Sequence, residues 1–145
     1  MVTIFDVEPR RLIEEAAARL EEMKIEGPAW VGTVKSGPHN ERLPQQKNFF
    51  FIRAASILRQ AYSHGPVGVS RLRTHYGGRK KRGVKPDEHR RAGGSLIRKT
   101  MQLLEKAELL AKNKKKGKPG RVITAKGMKL LDAAALAVSK KTASQ

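Results

Sequence analysis

Hydrophobic positions recur at helical spacing in several stretches of the 145-residue chain, separated by Gly/Pro punctuation. Leu12, Ile13, Ala16, Ala17, Leu20 and Met23 follow Pro9, which suits a first helical position. Gly27-Pro28 ends that helix. The segment Ala29–Val34 has room for one or two helical turns, and a loop carrying Gly37-Pro38 and Pro44 follows. From about Gln46 to Ser63 the pattern is unusually apolar, with Phe50, Ala54, Ile57, Leu58 and Ala61 on one side. It predicts a central core helix. Trp30, Phe49, Phe50, Phe51 and Leu58 read as core rather than as stacking platforms.

The second half is more broken. Val69–Tyr76 predicts a short helix stopped by Gly77-Gly78, and Gly77–Gly94 reads as a basic, Gly-rich loop. Ser95 is a candidate cap for a helix to about Leu109, with Leu96, Ile97, Met101, Leu104 and Leu110 inward. Two short β segments, Leu109–Lys112 and Arg121–Thr124, flank the tip Asn113–Gly120. Thr124 caps a last helix from Ala125 to about Ser139. The expected fold is mainly α: a winged-helix-like bundle around the central apolar helix, with a C-terminal β-hairpin. It forms one domain over residues 1–139, with a frayed tail at 140–145. One feature departs from a compact helix-turn-helix. Some eighteen residues separate the short helix from the basic helix, where about three or four are usual.

Charge changes the picture most. Residues 53–129 hold 22 Lys/Arg against 4 Asp/Glu, so this block carries the whole chain's formal +18. Residues 1–52 are nearly neutral, with 7 basic and 8 acidic groups. Self-repulsion of such a block weakens a compact state. Its natural counterpart is a dense array of negative charge, of which a nucleic-acid backbone is the commonest.

Catalysis finds few parts. There is no Cys, hence no disulfide, thiolate metal site or thiol nucleophile. His39, His64, His75 and His89 are scattered and read as surface or RNA-contacting groups. Glu14/Glu15 and Glu21/Glu22 belong to a solvated helix face, and no phosphate-cradling Gly motif is present. No catalytic residue, metal or cofactor is expected. The N-terminus lacks the order of a signal peptide, and the longest apolar run, Ala133–Val138, is too short to cross a bilayer. A soluble intracellular protein with no membrane partner is the expectation, monomeric when free. Scarce Asn and absent Cys beside many Lys and Arg suit a thermophile.

The candidate RNA-binding groups fall into clusters. Arg53 and Arg59 sit at different points around the edge of the apolar helix. Each either reaches solvent or an acid of the first helix, or clamps phosphate with its forked guanidinium. On the clamp reading, charge reversal there leaves folding largely intact. Arg79, Lys80, Lys81 and Arg82 run consecutively between glycines, continuing to Lys85, Arg90 and Arg91, with His75 and Tyr76 as planes for an unstacked base. Arg98 and Lys99 lie early in the basic helix, where the dipole adds to phosphate attraction. The run Lys114–Lys118 is the least specific cluster and suits a solvated tip.

Ordered strings along the chain carry a family resemblance. They are Pro28-Ala29-Trp30-Val31-Gly32-Thr33-Val34-Lys35, Asn48-Phe49-Phe50-Phe51-Ile52-Arg53-Ala54-Ala55-Ser56 and Tyr76-Gly77-Gly78-Arg79. Gly83-Val84 and Leu103-Leu104-Glu105 continue the order. From Val2 to Val138 the chain resembles the S-nineteen-e family of small-subunit ribosomal proteins of archaea and eukaryotes, with an archaeal source implied. The resemblance implies a helical body with a β-hairpin, built around the apolar helix. It implies residence in the head of the small subunit, in the cytoplasm, among ribosomal RNA and neighbouring ribosomal proteins, and a part in subunit maturation. By position it places an RNA-facing surface on Arg53, Arg59, Arg79, Arg98 and Lys99. The string Arg79–Arg82 is more basic than the family generally, and no long basic C-terminal tail is present.

Two rivals remain on the sequence alone. A winged-helix DNA-binding regulator needs one basic face, whereas this charge spreads over a helix edge, a loop, a second helix and a wing. A nuclease needs clustered carboxylates for metal, and Asp87, Glu88, Glu105 and Glu108 are not so placed.

Overall fold

The computed structural model describes residues 2–115 and 117–143. Five helices and two antiparallel hairpins follow in the order α1 (Pro9–Glu22), α2 (Phe49–His64), α3 (Val69–His75), β1 (Gly78–Arg82), β2 (Lys85–Arg90), α4 (Gly94–Lys106), β3 (Leu110–Lys112), β4 (Arg121–Ile123) and α5 (Ala125–Ala143). The body is mainly α.

The core is built around α2, as its apolar arc requires. Phe50, Ala54, Ala55, Ile57, Leu58 and Ala61 are buried, and the helix packs against α1, α4, α5 and β4. Alanines on this face let neighbouring helices approach closely, while Ile57 and Leu58 fill the volume between them. Leu12, Ala16, Ala17 and Leu20 of α1 and Leu131, Ala134 and Ala135 of α5 close one side. Leu96, Ile97, Met101 and Leu104 of α4, with Leu72 of α3, close the other.

Helix ends follow local chemistry. Gly65 terminates α2 at φ 73°, a conformation glycine adopts without a Cβ penalty. Thr124 Oγ1 accepts the Gly127 amide at 3.2 Å, the expected cap of α5. The cap of α4 differs from expectation: Gly93 holds that position without a side-chain bond, and Ser95 lies one residue inside the helix. The last helix runs to Ala143, four residues past Ser139; residues 144 and 145 lie outside the described residues.

Three further expectations are corrected. Ala29–Val34 forms consecutive turns with a Val31–Val34 bridge rather than helix, because Gly32 sits at φ 94° in its middle. Phe50 and Leu58 are buried, but Trp30, Phe49 and Phe51 are only half-buried, so the five do not form one core. Most importantly, Gly77–Gly94 is not a loop. Gly78 pairs with Arg90, Arg79 with His89 and Lys80 with Glu88, and an irregularity at Lys81 precedes the Arg82–Lys85 pair. A two-residue Gly83-Val84 connection closes the hairpin, with Gly83 at φ 67°. The hairpin forms because β2 supplies acids opposite the cations of β1. Arg82 meets Glu88 at 2.8 Å, Arg79 approaches Asp87 at 3.9 Å, and Arg90 also pairs with Glu88.

The second hairpin forms within a residue of the expected bounds, with Leu110 opposite Ile123 and Lys112 opposite Arg121. Val67 locks it to the body: its amide donates to Arg121 O, and the Arg121 amide donates to Val67 O, both at 2.9 Å. Gly120, at φ 143°, permits that approach; a Cβ there would lie 2.8 Å from Val67 O. Asn113 closes the connection by donating to Lys118 O at 2.7 Å. Lys116, within the expected solvated tip, is outside the described residues.

Candidate nucleic-acid interface

The four carboxylates of the basic block are all engaged with local cations. Glu105 holds Arg121 at 2.9 Å and Glu108 faces Lys126 at 3.4 Å, while Asp87 and Glu88 serve the β1–β2 hairpin. Arg53, Arg59, Lys81, Lys85, Arg91, Arg98 and Lys99 have no ion pair among the described residues, although Glu41 lines a depression with Arg53 and Lys81 and Glu26 lines one with Lys99. The excess charge therefore makes few ion pairs within the fold. Near α1, Glu8, Glu14 and Glu15 pair with Arg11, Arg10, Arg19 and Lys141, and neither Glu21 nor Glu22 pairs with a cation of the basic block among the described residues.

Arg53 does not reach an acid of α1. Its guanidinium carbon lies 3.9 Å from the centroid of the Tyr76 ring and 5.3 Å from that of Phe49, one helical turn earlier. The Tyr76 hydroxyl is fixed by Ser56 Oγ at 2.7 Å. Burial pulls the Arg53 guanidinium below its ordinary value, although it stays charged at any accessible pH. Burial likewise raises the Tyr76 phenol, against the opposing hydrogen bond from Ser56 and the charges of Arg53 and Arg59.

Along the same face, Gln60 donates to His75 Nε2 at 3.0 Å. Desolvation lowers the His75 pKa first, with His64, Arg53 and Arg59 adding to it. Arg59 lies near this pair, its Nε buried without a hydrogen-bond partner.

A cleft of about 780 Å³ opens between the start of α2, strand β1 and the 36–46 segment. Arg53, Arg79, Lys81, Arg42, His39 and Tyr76 line it. Lys80, by contrast, is spent on structure: its ammonium donates to Pro38 O at 2.7 Å, pinning the cleft wall to β1. Arg82 donates to Pro86 O at 2.8 Å as well as pairing with Glu88. The hairpin thus sorts its cations: Lys81 and Lys85 are free of ion pairs, while Arg82 and Arg90 are tied.

Arg98 and Lys99 stand apart from this cleft. They line a second groove with Trp30, Val34 and Lys35, between the 28–36 turns and α4. Ser36 lines both depressions, so the two sites adjoin across a single residue. The sequence reading missed Arg42 and Lys35, which sit singly with no charge run to mark them, and named His39 only as a surface or RNA-contacting group. Only the spacing of Gly37 and Gly78 hints at His39, whose ring packs where their side chains would be. Its Nδ1 is buried without a partner, and burial, then the charges of His89, Arg53 and Lys80, lower its pKa. Among the described residues no group of His, Asp and Glu is placed to hold a metal ion, and no helix is long and apolar enough to cross a membrane.

The fold and the site together are an α-helical body with a cationic face that makes few ion pairs, and an Arg lying over aromatic rings. The family model for Ribosomal protein S19e matches residues 3–141, and the chain belongs to that family. It is 43% identical over 138 residues to the small ribosomal subunit protein eS19 of Aeropyrum pernix, covering 93% of this chain and 88% of that one. The eS19 of Emericella nidulans is 41% identical over 132 residues (90% and 88% covered). The eS19B of Schizosaccharomyces pombe is 39% identical over 132 residues (90% of each). Family membership makes this a structural ribosomal protein rather than an enzyme, and it disfavours the DNA-binding regulator.

Proposed function

We propose that the protein is a constituent of the small ribosomal subunit head that binds ribosomal RNA through the face built by α2, the β1–β2 hairpin and the start of α4, and that it supports subunit maturation. The observation that carries this is the set of cations without an ion pair among the described residues: Arg53, Arg59, Lys81, Lys85, Arg91, Arg98 and Lys99. They come from elements with different directions, which suits embedding among several RNA strands. The names of the relatives, all small-subunit proteins, support the location.

On this reading α3, α4, the β3–β4 wing and α5 are a winged helix modified for RNA. The β1–β2 hairpin replaces the tight turn and stands beside the start of α4, where a duplex DNA major groove would need access. The free protein is a monomer that docks onto RNA and onto neighbouring ribosomal proteins.

Sedimentation of extract from cells expressing the tagged chain tests the proposal. The protein travels with small subunits at low salt, and a Lys81→Glu/Arg98→Glu/Lys99→Glu variant of unchanged fold shifts to the free fractions. Wild-type protein found wholly in the free fractions at low salt refutes it.

A further inference from the structure

The cleft beneath Arg53 offers more than charge. A phosphate backbone crossing a surface needs exposed cations; it does not need a concavity of about 780 Å³ floored by a guanidinium held against two aromatic rings. That volume falls in the range of small-molecule sites, roughly 300–1,000 Å³. The part of the lining at residues 36–39 and Tyr76 is held in place. Lys80 holds Pro38, the Gly93 amide donates to Ser36 O at 2.8 Å, and Ser56 holds the Tyr76 hydroxyl. The His39 ring is wedged so tightly that a Cβ on Gly37 or Gly78 would come within 2.7 or 2.9 Å of it. Lining already held in place loses little ordering entropy on binding.

The chemistry of the lining is that of a nucleotide site. Arg53 over Tyr76, with Phe49 close by, brings together a planar cation and aromatic rings, the groups on which unpaired bases are held. Lys81, free of ion pairs, and the exposed Arg79, only loosely paired with Asp87 at 3.9 Å, line it from β1 as phosphate ligands. From the 36–46 segment Glu41, Gln45 and Gln46 bring a carboxylate and two amides to the lining, groups that meet base edges rather than phosphates.

We infer that this cleft receives a single unpaired RNA nucleotide, its base laid against the Phe49–Arg53–Tyr76 stack and its phosphates on Arg79 and Lys81. The inference rests on the RNA-binding reading above and adds the form of the RNA: a bulged or looped-out nucleotide at the cleft, flanked by backbone contacts along the hairpin.

Three RNA hairpins of equal stem length distinguish the possibilities: one with a single bulged nucleotide, one with an abasic residue at that bulge, and one without the bulge. Each of the four bases is tried in the bulge. Affinities are measured by fluorescence anisotropy with the full chain at one moderate salt concentration. The abasic bulge keeps the phosphate and removes only the base. For at least one base, the intact bulge binds about tenfold more tightly than the abasic one, as expected for loss of one stacked base. In Arg53→Lys, which keeps the charge and loses the plane, the ratio falls towards one. Should Arg53→Lys not fold, wild-type NMR takes its place: the bulged RNA shifts the Tyr76 and His39 ring signals, and the abasic RNA leaves them unmoved. Equal binding of all three hairpins overturns the inference while leaving the RNA-binding proposal standing. Failure of all three to bind, there and in a repeat at low salt, overturns both.

Discussion

The guanidinium of Arg53 sits against Tyr76 and Phe49, without an ion pair among the described residues, on a helix otherwise devoted to the core. Its removal therefore has two separable effects. Arg53→Ala loses cation–π contact and stem packing, and should lower stability by about 1–2 kcal/mol in urea denaturation. Phe50→Ala, which empties a buried site, should cost about 3–5 kcal/mol. Lys81→Ala, on an exposed strand position, should stay within about 0.5 kcal/mol of wild type. The sequence reading treats Arg53 as an edge residue whose reversal leaves folding intact. The structure alters that, because glutamate would be half-buried against the electron-rich faces of two rings. Reversals at Lys81, Arg98 and Lys99 are the cleaner probes of RNA contact.

Histidines give a residue-scale pH signature. Burial first, then nearby cations, lower the pKa of both His39 and His75 below that of an unfolded chain. The unfolded state then takes up protons before the folded state does. Their contribution to stability is present above about pH 6.5 and is lost as pH falls through the lower folded values. The thermal midpoint should drop between pH 7.5 and pH 5.5, and the His39→Gln/His75→Gln double variant should show a smaller drop. An equal drop in both proteins would move the cause elsewhere.

At the scale of elements, the helices were legible because apolar residues at 3.6-residue spacing mark them regardless of what they pack against. The β3–β4 hairpin was legible too, since Leu110 and Ile123 bracket a Gly/Pro tip. The β1–β2 hairpin was not, and the reason is physical. Strands are recognised by β-branched or alternating apolar residues, yet Gly78–Arg82 and Lys85–Arg90 are almost wholly charged. What holds them is cross-strand charge pairing and anchorage to the body, neither of which has a period. An isolated two-stranded ribbon is marginal in water, so the anchors matter. Lys80→Ala, which frees Pro38 from β1, should speed amide exchange at Arg79 and His89 while changing global stability little. If exchange there is already as fast as in an unfolded peptide before RNA is added, the hairpin forms only on binding. Gly120→Ala makes the opposite kind of change. It strains the backbone and presses a methyl group on Val67 O, and should cost about 1–3 kcal/mol.

For the whole molecule, the site was legible as charge but not as shape. The sequence marks every basic residue that lines the cleft from α2 and β1, because they lie in a block of 22 cations against 4 acids. It does not reveal that all four acids are consumed by local pairs, nor that the 36–46 segment folds back to wall the cleft. Those facts depend on contacts between residues distant in sequence, such as Lys80 with Pro38. They also change how the charge should act. On the proposed reading, cations already paired within the fold, such as Arg82, Arg90 and Arg121, should release few counterions, while Arg59, Lys81, Lys85, Arg91, Arg98 and Lys99 should release theirs. With six to ten phosphates neutralised, affinity for a fragment of small-subunit RNA should fall about 10³–10⁵-fold between 50 and 200 mM salt. The slope of log affinity against log salt should be shallower by about one for each of Lys81→Ala and Lys85→Ala. Arg121→Ala should leave the slope unchanged while lowering stability, since its partner is Glu105 at 2.9 Å. A flat salt response in wild type, or equal slope changes for Arg121 and Lys81, would mean that pairing within the fold does not decide which cations meet the phosphates.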